Sequence, residues 1–83
     1  MKNKKLKDKI RKLIVNQFKM KKKRLKKNLS ANNVAKWDSL GHLSLITVIE
    51  KKFEISFTQE EIIKMFDERE IYLMLLKKNI ETK

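Results

Sequence analysis

An all-α fold follows from three features of the sequence. It contains no proline and a single glycine, so the two strongest helix breakers are almost missing. Its apolar residues recur at helical spacing, and two segments open with the side-chain pattern of a capping box. Eighty-three residues make one domain, 1–83, with one small core and no room for a large enclosed cavity.

The first helix is expected over 3–18, where Leu6, Ile10, Leu13, Ile14 and Phe18 share one face and lysines cover the rest. The opening lysines oppose the positive end of the helix dipole, which predicts fraying of the first residues. A long connection follows from Lys19 to Lys36. It joins a basic tract, Lys19 to Lys27, to Asn28, Ser30, Asn32 and Asn33, whose short polar side chains compete with helical hydrogen bonding. Leu25, Leu29 and Val34 are its candidate anchors.

A second helix is expected over 39–53. Leu40, Leu43, Leu45, Ile46, Val48, Ile49 and Phe53 spread beyond one stripe, as in a helix buried on more than one side. Asp38 or Ser39 can cap it. Phe53 to Phe57 alternates like a strand but has no partner strand, so it reads as an extended linker. Thr58 and Asp67 each stand three residues before a glutamate, which predicts a short helix near 58–65 and a third main helix over 67–79.

The expected architecture is an up-and-down bundle of three main helices with a short one before the last. Its expected core is Ile10, Leu13, Phe18, Leu43, Ile46, Ile49, Phe53, Ile62, Ile71 and Leu75. Cutting Phe53 back to Ala should cost on the order of 3 kcal/mol or more.

Charge is concentrated at one end. Residues 1–36 carry fifteen Lys or Arg against Asp8 alone (+14), and residues 37–83 carry seven bases against nine acids (−2), which together give the net +12. The front half is therefore a strongly basic helix and connection. Without cysteine there is neither a disulfide framework nor a protein thiol, so any sulfur chemistry must come from an attached group. The apolar runs are too short to span a bilayer, and no signal-peptide core follows the basic start. A soluble, cytoplasmic monomer with no membrane partner is expected.

The segment Trp37-Asp38-Ser39-Leu40-Gly41-His42-Leu43, with Leu45-Ile46, Ile49-Glu50 and Phe53-Glu54-Ile55 after it, resembles the attachment region of acyl and peptidyl carrier proteins. The likeness runs from Trp37 to about Met65, half of the chain. It implies an acyl-carrier-protein-like bundle in which Ser39 is esterified by 4′-phosphopantetheine taken from coenzyme A. The arm would hold an acyl-type cargo as a thioester, as in fatty acid or secondary metabolite biosynthesis. It further implies that Asp38 presents the serine to a phosphopantetheinyl transferase, near its Mg²⁺, and that Leu40 faces partners.

The physical chemistry of the segment agrees. A phosphodiester at a helix start meets unpaired backbone N–H groups and the positive end of the dipole. The resemblance also brings acyl- or aminoacyl-activating and acyl-transferring enzymes as partners. Carriers of this kind commonly show them an acidic second helix, whereas here Glu50 and Glu54 are interrupted by Lys51 and Lys52, which suggests a dedicated partner set. Glu50, Lys51 and Glu54 are thus candidate partner contacts. By the bland readings Ser39 is only a helix cap, Trp37 a half-buried packing residue and His42 a surface residue without a role.

The rival class is a basic helical nucleic-acid-binding module, since seven bases lie between Lys19 and Lys27. Few aromatics are present to stack on bases, and no reading motif accompanies the charge. Binding to an acidic membrane surface would remove the first helix from the bundle. An enzyme is the least supported class: no nucleophile with its base, phosphate cradle or metal-ligand cluster is present, so no catalytic and no metal-binding residue is assigned.

Overall fold

The chain forms four helices, α1 (Lys2–Phe18), α2 (Ser39–Phe53), α3 (Gln59–Ile62) and α4 (Glu68–Lys77), in a computed structural model that describes residues 2–20 and 28–78. Leu25, the greater part of the Lys19 to Lys27 tract and the end of the last helix at 79 lie outside the described residues.

Each boundary has a local cause. At Lys19 the backbone enters the left-handed region, with φ 52°, and α1 stops. At the end of α2, Glu54 adopts φ 55°, ψ 50° and its N–H returns to the carbonyl of Glu50, a left-handed cap built without glycine. Thr58 and Glu61 form the reciprocal capping box that starts α3. Asp67 caps α4 by accepting from the Glu70 N–H at 2.7 Å. The expected short helix ends earlier than 65, because the chain turns at Ile63 and Lys64.

α1 packs against both α2 and α4. Leu6, Ile10, Ile14, Trp37, Leu45, Ile49, Met65, Ile71 and Leu75 are all but inaccessible to solvent. The Cα radius of gyration, 11.9 Å, matches the ~12 Å of a compact domain of this length. The connection into α2 is pinned as expected at Leu29 and Val34, both buried. It is also tied to the start of α4 by Ala31 N–H to Phe66 O at 2.9 Å and Glu68 N–H to Leu29 O at 2.7 Å. Glu68 completes this junction, accepting from the Leu29 N–H at 3.2 Å and from the Arg11 Nε–H at 2.7 Å.

Expectations about burial are corrected at six residues and for the face of the second helix. Leu43 is 54% exposed rather than core. The buried residues of α2 are His42, Leu45, Ile46 and Ile49, which share one face, and at 100° per residue Leu43 falls on the other. The second helix is therefore buried on one side only. Leu13, Phe53 and Ile62 are partly buried and pack around the core rather than within it. Trp37 is fully buried, not half-buried, and His42 is buried at 2% exposure, not a surface residue.

Candidate functional site

Asp38 is extended (φ −96°, ψ −167°), and its carboxylate accepts from the Gly41 N–H at 2.9 Å. Its carbonyl accepts from the His42 N–H at 2.7 Å. The cap is thus Asp38, leaving Ser39 as the first helical residue, exposed to solvent. Among the described residues no side-chain hydrogen bond engages the Ser39 hydroxyl.

Gly41 makes this tight entrance possible. A Cβ there would collide with the Lys36 carbonyl oxygen and meet Phe18 Cε1 at 3.0 Å and Asp38 Oδ1 at 3.3 Å. The only glycine of the chain therefore lets the connection and the end of α1 close on the first turn of α2.

Beneath Ser39 four rings form a row. Phe18 stacks on Trp37 with centroids 5.5 Å apart, Trp37 faces His42 at 6.3 Å, and His42 stacks on Phe66 at 3.7 Å. The row joins the end of α1, the connection, α2 and the turn before α4. His42 holds it with two hydrogen bonds. The indole N–H of Trp37 donates to Nδ1 at 2.9 Å, and Nε2 lies 2.7 Å from the carbonyl of Ile62. An indole can only donate and a carbonyl can only accept, so the imidazole is neutral with its proton on Nε2. Burial lowers the pKa of His42 from its ordinary value, opposed by the bond to Ile62.

The candidate partner contacts fall into two groups. Leu40 is 78% exposed, and Lys51 and Glu54 are exposed at the far end of α2. Glu50 instead turns inward, its Oε2 accepting from the Phe57 N–H at 2.9 Å, so its carboxylate organises the linker that follows α2. Among the described residues no cluster of His, Cys, Asp or Glu could hold a metal ion, and no helix is long and apolar enough to cross a membrane.

Sequence reasoning missed Gly41 and His42. A glycine inside a helix costs about 1 kcal/mol relative to alanine, which signals a close approach. A histidine on the same face as Leu45, Ile46 and Ile49 signals a buried, bonded ring. Comparison with known proteins yields no matching family model and no matching curated protein.

Proposed function

We propose that the protein is a stand-alone acyl carrier, with Ser39 as the residue that receives 4′-phosphopantetheine. The observation that carries this reading is the division of labour at the α2 start. Asp38 takes the capping bond to Gly41 N–H, which leaves the neighbouring serine exposed and spared the role that serines most often have at that position.

The surroundings suit the group. A serine ester at the first helical position is open to solvent, and its negative charge is favoured by the dipole of a helix with fifteen residues. Leu40 beside it is exposed, as a contact for a visiting enzyme requires. Attachment forms a bond from Ser39 Oγ to phosphorus while the diphosphate of coenzyme A breaks. Adenosine bisphosphate leaves with the bonding electrons, and the hydroxyl proton passes to a base on the transferase. The group supplies the terminal thiol that this cysteine-free chain lacks, on which acyl cargo is held as a thioester. The protein's own part is to present the serine on a rigid turn, fixed by the ring row below, and to offer a face to the partners. The all-α bundle is in this reading an acyl-carrier-like bundle.

Intact mass tests the proposal. The parent protein and Ser39→Ala are incubated with a broad-specificity phosphopantetheinyl transferase, Mg²⁺ and coenzyme A. A gain of one phosphopantetheine on the parent alone is expected. A folded parent left unmodified by several transferases would end the carrier reading and turn attention to nucleic-acid binding by the basic half, measured across a salt series.

A further inference from the structure

We infer that the face around Ser39 docks an acidic protein surface with an apolar depression at its centre; the inference rests on the carrier reading. Four large apolar side chains are exposed among the described residues: Leu40 at 78%, Leu43 at 54%, Ile63 at 67% and Leu73 at 45%. Leu40 and Leu43 stand within four positions of Ser39. Ile63 follows Ile62, whose carbonyl holds His42 in that same helical turn. Three of the four thus cluster at the serine end of the molecule, and packing inside the chain explains none of them.

The spacing makes a stripe. Leu40, Leu43, Ser44, Thr47 and Lys51 are all exposed and fall on one side of α2 at helical period. From Leu40 to Thr47 the stripe carries no charge, and Glu50 is withdrawn to the Phe57 N–H. The centre of the face is therefore apolar and neutral.

Its border is basic on the α1 side. Lys19 and Lys36 are exposed. Lys19 follows Phe18, whose ring closes on Gly41, and the carbonyl of Lys36 closes on the same glycine, so both cations flank the first turn of α2. Lys64, also exposed, borders Ile63. Of the nearby acids, Asp38 caps α2, Glu61 pairs with Lys78 at 3.0 Å and Glu60 is exposed in α3, so the basic border is that of Lys19, Lys36 and Lys64 around the start of α2. Residues 1–36 carry a net charge of +14, which steers acidic surfaces from a distance. A nucleic acid fits less well: base stacking needs exposed rings, whereas Phe18 and Trp37 are buried.

The test uses one transferase in two forms, its natural form with a basic docking face and a form with the Lys and Arg of that face changed to Glu. KM for the protein is measured with each, at low salt and near ~0.5 M salt, where screening removes most long-range attraction. The acidic form is expected to show KM lower by about tenfold or more at low salt, with the advantage shrinking towards one at high salt. Lys19→Glu with Lys36→Glu should abolish that advantage. Leu43→Ser should raise KM about fivefold with both forms while kcat holds; circular dichroism confirms that this surface variant is folded. Equal or lower KM with the basic form overturns the acidic-partner inference while leaving the carrier reading intact. Failure of both forms to modify Ser39 overturns the carrier reading and the inference with it.

Discussion

At the scale of single residues, His42 and Gly41 hold the site. Because the folded protein keeps His42 neutral, the unfolded chain binds more protons once pH falls below the ordinary histidine value of 6.5. The stability that His42 contributes is therefore complete above that value and is lost as pH falls through the lowered folded pKa. Urea midpoints measured between neutral and mildly acidic pH should fall in the parent and stay flatter in His42→Phe. His42→Ala should cost about 2–4 kcal/mol, since it leaves the Trp37 N–H and the Ile62 carbonyl without their partner and opens a cavity between rings. Gly41→Ala should cost about 2 kcal/mol or more, because the Lys36 carbonyl is backbone and cannot swing away as a side-chain end would. Denaturant titration checks both.

At the scale of elements, the boundaries were the most legible part of the sequence. Thr58 with Glu61 and Asp67 with Glu70 form local bonds that any chain with those residues can make, so capping chemistry placed α3 and α4. The start of α2 was legible too, as a choice between Asp38 and Ser39 that the geometry gives to Asp38. Which face of α2 is buried was not legible. Leu43 and Leu45 are the same residue type two positions apart, and only the arrival of α1 on one side sends Leu45 inward and Leu43 outward. Substitution should separate them: Leu45→Ala is expected to cost about 3 kcal/mol in urea unfolding, and Leu43→Ser within about 0.5 kcal/mol of nothing. Phe53→Ala, at a partly buried position, should fall below Ile49→Ala, which empties a fully buried one. Glu50 shows the same limit, for its bond to Phe57 spans seven residues and depends on the turn at Glu54.

For the whole molecule the dominant quantity is charge, +12 on 83 residues. Such an excess repels itself in the compact state and is relieved by screening. The melting temperature is therefore expected to rise between low salt and about 0.3 M NaCl; a fall on scanning calorimetry would mean that the surviving ion pairs matter more than the self-repulsion. Those pairs are few among the described residues. Arg11 with Glu68 crosses from α1 to α4, and Lys78 with Glu61 ties α4 to α3. Charge asymmetry between the halves was plain in the sequence, but its meaning required the fold, which brings Phe18, the residue before Lys19, against Gly41 in the first turn of α2.

The ring row has an optical consequence. Trp37 is the sole tryptophan of the chain; it is buried and its indole is bonded to His42, two residues from Ser39. Its emission therefore reports on the ring row around the start of α2. A protonated Nδ1 cannot accept the indole bond, so Trp37 fluorescence read against pH is expected to change as His42 titrates and to stay flatter in His42→Phe. Followed during incubation with a phosphopantetheinyl transferase and coenzyme A, the same signal would report any change that the proposed modification of Ser39 makes at the helix start.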